Sequence, residues 1–327
     1  MKENNAVETN KKQWIFINAL KFFAILLVLN SHFDKVYPIS ALATGGAIGN
    51  GLFFIIMGYC TYNIKGNFAK WYSQKIVRLF IPVFIVSVVM MFIDGIANMT
   101  LVGAVKMFIW PTGFWFYGAL IIFYVVYYIV VKKKLLDKFW ILTIVFAVAY
   151  FAYYILLLDK SSFVVEASGL GNINGNFKMI YYCYIMLLGA YLRHKNVLEK
   201  AANRWLMFVL AGGSFVAMYA VKLLAGRYPV LYNVQFLEQM CVIVFSVSMF
   251  LFVSTLEQLI SKYGTVSKWI QKLSNYSFEV YVLQFMFIDL FCEMMFPVNM
   301  LLILLCIVVA SIILKKISEV LVGCIYK

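Results

Sequence analysis

Two ionisable side chains lie in the first apolar run of the chain, near residues 13–34. Lys21 stands in its first half and His32 near its end, within "NALKFFAILLVLNSHFDKVYP" (18–38). Eleven positions at about 100° per residue bring both side chains to one helix face, about 16 Å apart along the axis, and Asn18 shares that face. An imidazole can accept and return a proton near neutral pH. The spacing therefore predicts a polar face with a general base near its outer end and a cation deeper in the membrane.

Each of these residues also has a simpler interpretation. A lysine near mid-membrane costs about 2.5–3.5 kcal/mol on insertion scales, so Lys21 would snorkel toward the inner headgroups or face a wet cavity. His32 alone would be an interfacial residue hydrogen-bonded to a neighbour. Their shared face favours a functional site. The other histidine, His194, lies in the basic stretch "LRHKN", where we expect a solvated role. No metal-binding or Walker motif is present, and we expect no metal.

The composition indicates that this chain folds in a lipid bilayer. Of 327 residues, 64% are hydrophobic and 13% charged, and the mean hydropathy is +0.89. A water-soluble protein could not cover that much apolar surface, and the long unbroken runs exclude the alternating segments of a barrel. We expect an all-α polytopic membrane protein. The net charge of +14 then reflects cytoplasmic loops and not a nucleic-acid partner.

Apolar runs predict about ten spans. They lie near 13–34, 46–63, 79–93, 114–131, 139–158, 177–192, 205–224, 238–256, 277–296 and 299–314. With the N-terminus inside, the inner segments hold 21 Lys and Arg residues and the outer loops hold 5. This asymmetry predicts that both termini are cytoplasmic.

The rest of the chain contains little besides these spans. Residues 1–12 form a polar cytoplasmic N-terminal segment that we expect to be retained, and 13–327 form a single transmembrane domain. The Gly/Asn-rich stretch 159–176 reads as an outer loop. Six cysteines without paired spacing are expected to be small buried apolar side chains.

Five stretches resemble, in order, the membrane-bound acyltransferase-3 family, in its short single-domain polysaccharide O-acetyltransferase form. Lys21-x10-His32 resembles the (Arg/Lys)-x10-His motif of the family. The others are "GNGLFFIIMGYCTY" (49–62), "KIVRLFIPVF" (75–84), "FWFYGALIIFYVVYYI" (114–129) and "SNYSFEVYVLQF" (274–285). Gln284 stands where many members have a second histidine, so whatever that imidazole does is lost or replaced here. The resemblance spans residues 13 to about 290.

The resemblance implies an integral-membrane O-acyltransferase. Such a protein takes an acyl group, by default acetyl, from cytoplasmic acyl-CoA and places it on a hydroxyl of a surface polysaccharide or lipid-linked sugar. No cofactor would be bound permanently, and the partners would be acyl-CoA, the glycan and membrane lipids, with the oligomeric state open. The location implied by similarity is a bacterial cytoplasmic membrane.

Roles follow for individual residues. His32 would be the general base, because an alcohol is a poor nucleophile without one. Lys75 and Arg78 would hold coenzyme A phosphates, or serve only as positive-inside residues, and Lys21 would line the slot for the pantetheine arm. Contacts to the sugar are expected on the outer side, with belt aromatics as the alternative interpretation for the rings: Trp115, Tyr117, Tyr232, Gln235, Glu238 and Gln284.

The alternative function is a secondary transporter or flippase for a lipid-linked sugar, since a polar helix face also suits a substrate path. Such proteins often show internal repeats and Gly/Pro-broken helices. This chain has five prolines and no detectable repeat, which favours the enzyme. A structural membrane subunit would leave the cost of Lys21 and His32 unexplained.

Overall fold

A computed structural model describes residues 14–94, 101–105, 114–158, 165–166, 169–170, 175–199, 202–234 and 236–326. The described chain is almost entirely helical. Its helices are α1 (Ile15–Asn30), α2 (Gly46–Thr61), α3 (Phe68–Asp94), α4 (Leu101–Ala104), α5 (Trp115–Lys132), α6 (Phe139–Leu156), α7 (Gly175–His194), α8 (Arg204–Arg227), α9 (Phe236–Ser254), α10 (Glu257–Lys262), α11 (Gly264–Ser274), α12 (Ser277–Phe291) and α13 (Val298–Ile325).

The all-α polytopic class is confirmed. Each predicted apolar run coincides with a helix, and six helices of the described residues are long and apolar enough to cross a membrane: α3, α5, α6, α8, α9 and α13. Helices α1 and α2 are apolar but shorter. Of the predicted outer loop 159–176, the structure describes the two-residue strands β1 (Val165–Glu166) and β2 (Gly169–Leu170), paired antiparallel, and the start of α7. The sidedness of the termini stays a prediction.

Several helix boundaries differ from the predicted spans. Helix α1 ends at Asn30, so His32 lies in the turn beyond it. Helix α3 begins at Phe68 and not near residue 79, because Asn67 Oδ1 accepts a hydrogen bond from the amide of Lys70 at 3.0 Å and caps the first turn. Its 27 residues extend about 40 Å, more than a hydrocarbon core requires. Helix α13 continues to Ile325, eleven residues past the predicted end.

The N-terminus of α1 is capped from the far end of the sequence. The carboxylate of Glu257 accepts hydrogen bonds from the amides of Ile15 (3.1 Å) and Phe16 (2.7 Å). A negative charge at this position satisfies orphan amide donors and complements the helix dipole. This contact fixes the entry of the helix that carries Lys21.

The close approach of α2 and α7 depends on two glycines. A Cβ at Gly58 would collide with the carbonyl oxygen of Met186, and one at Gly189 with that of Ile55. Small residues at such crossings let two backbones pack directly in a membrane protein. The contact places the inner ends of α2 and α7 side by side.

We therefore expect Gly58→Ala to destabilise the protein by about 1–3 kcal/mol or more through overpacking. Gly212→Ala is the matched control, because a Cβ there meets nothing within 4 Å and alanine favours the helix. Thermal unfolding of both variants in detergent measures the difference. Equal midpoints for the two variants would contradict the close packing described here.

Candidate active site

His32 lies inside the bundle at the end of α1. Its ring meets the Phe285 ring of α12 edge-on, at 4.6 Å between centroids, and its amide donates to the carbonyl of Leu29 at 3.1 Å. Burial lowers the pKa of His32 to about 4; Asp34 opposes this shift and Lys178 adds to it. The imidazole is therefore unprotonated at neutral pH and can accept a proton.

An aromatic platform lies near this imidazole. The ammonium of Lys178 stands 4.5 Å above the Trp115 ring, and Trp115 stacks on Tyr182 at 5.6 Å. The hydroxyl of Tyr182 donates to the carbonyl of Ala47 at 3.1 Å, which holds the platform against α2. Lys178 thus links the predicted residues Trp115 and His32, and the sequence placed it among outer-loop cations without a role.

Basic side chains from three helices gather at the opposite, inner end of the bundle. Lys21 of α1, Lys75 of α3 and Arg193 of α7 all lie close enough to Cys60 to act electrostatically on its thiol. Lys21, Arg193 and Cys60 line a cavity of about 810 Å³, here called the inner cavity, with Asn18 beside them. Two of these cations, Lys21 and Arg193, line the cavity with one carboxylate, that of Glu199, and Lys75 lies nearby. This excess of positive charge suits a ligand that carries several negative charges.

Arg193 is the best-anchored of these cations. Its Nη1 donates to the Tyr59 hydroxyl at 3.0 Å, and its guanidinium lies 5.7 Å from the Trp14 ring. Asn18 is 4% exposed and its Nδ2 has no partner among the described residues, so the cavity also offers an unused donor. Sequence reasoning missed Arg193, because a basic residue at an inner helix end is already explained by topology.

A narrower cavity of about 370 Å³, here called the slot, continues from Lys21 into the bundle. Lys21 lines both the inner cavity and the slot, so it does not face lipid alone. The slot is bordered by Ser277 and Lys315 toward the inner side and by Asn50 and Phe116 farther along. Phe116 adjoins Trp115, so the slot ends beside the aromatic platform.

Helix α12 connects the two ends of the site. Ser277 and Tyr281 line the slot with Lys21, and Phe285 contacts His32. These three positions repeat every four residues and therefore lie along one helix face. Lys21 and His32 accordingly face the same neighbour, although the helix that carries Lys21 ends before His32.

Four predicted residues lie elsewhere. Arg78 lines a separate cavity between α3, α12 and α13, because three residues along α3 rotate it about 60° from Lys75. Tyr117 is 2% exposed in the apolar core and is not open to a sugar. Glu238 lies near Lys222 and Tyr182. Gln284 is fully buried with both amide atoms unpartnered among the described residues.

The remaining predictions either are wrong or concern residues outside the described part of the chain. His194 is not merely solvated: Nδ1 contacts the Tyr62 hydroxyl at 2.8 Å and Nε2 contacts Asp137 at 2.9 Å. The carboxylate that acts electrostatically on His32 is that of Asp34. The cysteines were expected to be buried, but only Cys183 is; Cys60 and Cys324 are exposed, and the other three are half-buried. Gln235 and the side chain of Tyr232 lie outside the described residues.

Comparison with known proteins adds one match. The acyltransferase-3 family model, described as an acyltransferase domain, matches residues 14–315. Neither the curated proteins nor the solved structures contain a match. The family match covers every helix of the inner cavity, the slot and the aromatic platform.

Proposed function

This chain belongs to the acyltransferase-3 family, and from that membership and its cavities we propose an O-acyltransferase that uses cytoplasmic acyl-CoA. The family and the apolar helices together show a multi-pass membrane acyltransferase. The observation that supports the use of acyl-CoA is that Lys21 lines both the inner cavity and the slot. A donor with a charged head and a long narrow arm would fit two neighbouring cavities that meet at this side chain.

The inner cavity would receive the nucleotide of the donor. Lys21, Lys75 and Arg193 supply positive charge for its phosphates, and Trp14 and Tyr59 offer ring faces near them. Arg78 takes no part in this assignment. The slot would hold the pantetheine arm, whose thioester then lies toward Phe116 and the platform.

His32 would act on the acceptor hydroxyl. The neutral imidazole takes the hydroxyl proton as the oxygen attacks the thioester carbonyl, a new C–O ester bond forms, and the C–S bond breaks. The imidazolium then returns its proton to the departing thiolate of coenzyme A. The nearby ammonium of Lys178 would stabilise the negative oxygen of the tetrahedral intermediate.

The acceptor would approach from the outer side. His32 lies beyond the outer end of α1 by the charge asymmetry, on the side from which a surface glycan would arrive. We assign the acceptor to a surface polysaccharide or a lipid-linked sugar, the acyl group to acetyl, and the location to a bacterial cytoplasmic membrane.

The test uses purified protein in proteoliposomes with acetyl-CoA labelled in the acetyl group on the side of the inner cavity and a candidate glycan on the other. We expect labelled ester on the glycan and free coenzyme A in equal amounts, both dependent on the protein. Movement of glycan across the bilayer with no ester formed would support a transporter and contradict the proposal. Heat-denatured protein is the control for spontaneous acetylation.

A further inference from the structure

A third cavity of about 550 Å³, here called the lateral cavity, lies between α3, α12 and α13 and has no role in the proposed acyl transfer. Its rim is exposed: Arg78, Glu319 and Tyr326 are all solvent- or lipid-accessible. Its floor is buried, since Glu279 is 6% and Ser318 5% exposed. The cavity thus has charged groups at two depths.

The floor carries acceptors that no described residue satisfies. Oε2 of Glu279 and Oγ of Ser318 are buried without a hydrogen-bond partner, and both residues line the cavity. Pro82, also in the lining, has no N–H to donate to the carbonyl four residues earlier, that of Arg78. A buried acceptor without a hydrogen bond destabilises the folded protein. We therefore expect a group with several hydrogen-bond donors to bind here.

The rim carries both signs of charge: the carboxylate of Glu319 lies 3.8 Å from the ammonium of Lys315, and Arg78 supplies a cation. The guanidinium of Arg78 is exposed and forms no hydrogen bond or ion pair with any described residue. Lys315 is already engaged, donating to the Asn275 carbonyl at 2.8 Å and lying 3.5 Å from the other oxygen of Glu279. Its side chain lines both the lateral cavity and the slot. Arg78 is therefore the cation left for an incoming anion.

We propose that the lateral cavity binds a phospholipid headgroup that carries a primary ammonium and a phosphodiester, as in phosphatidylethanolamine. The ammonium reaches Glu279 and Ser318 on the floor, because its three N–H groups match acceptors there. The phosphodiester pairs with Arg78 at the rim. Apolar side chains exposed nearby on α13, such as Val320 and Ile325, provide a surface for the acyl chains.

Native mass spectrometry of the purified protein with equimolar phosphatidylethanolamine, phosphatidylcholine and phosphatidylglycerol tests this proposal. We expect phosphatidylethanolamine to be retained about tenfold more than the other two. The quaternary ammonium of phosphatidylcholine cannot donate to Glu279, and phosphatidylglycerol has no cation. Equal retention of the three lipids would overturn the proposal.

Two variants test whether the lipid binds in the lateral cavity. Arg78→Gln and Ser318→Ala should each abolish the preference. The matched controls are Arg204→Gln, an exposed arginine that donates to Thr255, and Ser311→Ala, an equally buried and unpartnered serine of α13; both should keep it. Loss of preference in the controls as well would contradict a defined site.

Two soluble competitors separate this lipid from other sources of the same chemistry. We expect neither glycerophosphoethanolamine nor coenzyme A to displace the bound lipid. Displacement by glycerophosphoethanolamine would indicate that the cavity binds a soluble zwitterion. Displacement by coenzyme A would indicate that Arg78 binds the acyl donor. Either result would overturn the lipid assignment. Failure of the acyl-transfer assay would leave these lipid measurements unaffected.

Discussion

His32→Ala should lower the rate of acyl transfer by about 10²–10⁴-fold, the usual contribution of a general base. The imidazole is unprotonated and packed against Phe285, so it can take the proton of a hydroxyl that alone is a weak nucleophile. Steady-state transfer of labelled acetyl from acetyl-CoA to the glycan measures the loss. Binding of coenzyme A should be unchanged, because the inner cavity lies at the other end of the slot.

The matched control for this substitution is His194→Ala. His194 holds Tyr62 and Asp137 together at the inner end of α7, so its loss should affect stability and leave turnover per folded molecule near the wild-type value. Equal losses of turnover in both variants would remove His32 from the mechanism.

The pH profile gives a second readout of the same group. Because the pKa of His32 is lowered to about 4, the base form is present above that pH and is lost as the pH falls through it. The acidic limb of kcat/KM should therefore lie near pH 4 and not near 6.5. A limb at 6.5 or above would contradict the burial described for the ring.

Lys21→Ala should raise the KM for acetyl-CoA by about 10–100-fold, the effect of losing one charge-assisted hydrogen bond. The value of kcat should change much less, because the interaction is made equally in the ground and transition states. Cys60 provides a direct measurement, since its exposed thiol lines the same cavity. Coenzyme A should protect Cys60 from a maleimide, read by peptide mass spectrometry, and the variant should need correspondingly more of it.

Lys222→Ala is the control for Lys21→Ala, because Lys222 lies on α8 near Glu238, away from the inner cavity. It should leave both the KM and the protection of Cys60 unchanged. Protection that is the same in Lys21→Ala and the wild type would end the assignment of Lys21 to the donor.

The sequence predicted the helices well and their ends poorly, for a physical reason. Long apolar runs have one stable form in a bilayer, so the existence of each helix follows from composition. The ends depend on single hydrogen bonds. Asn67 starts α3 eleven residues early by capping its first turn, and Glu257 caps α1 from a distance that no local pattern reveals.

The residues of the site likewise divide into those that the sequence could predict and those that it could not. Lys21 and His32 could be found because ionisable groups in an apolar run carry a cost that demands an explanation. Arg193 and Lys178 could not, because cations at helix ends are expected in any membrane protein. Arg78 was grouped with Lys75 by their closeness in sequence, whereas rotation about α3 directs the two side chains to different cavities.

The capping of α1 by Glu257 has a consequence for biogenesis. The amide of Ile15 and its carboxylate partner are 242 residues apart, and a ribosome adding about 5–20 residues per second needs about 12–50 s to cover that distance. During that interval α1 can already pack against α2, but the amides of Ile15 and Phe16 lack their carboxylate partner. A ribosome stalled ahead of residue 257 should therefore leave the first turn of α1 accessible to crosslinkers, and chains extended beyond Glu257 should protect it.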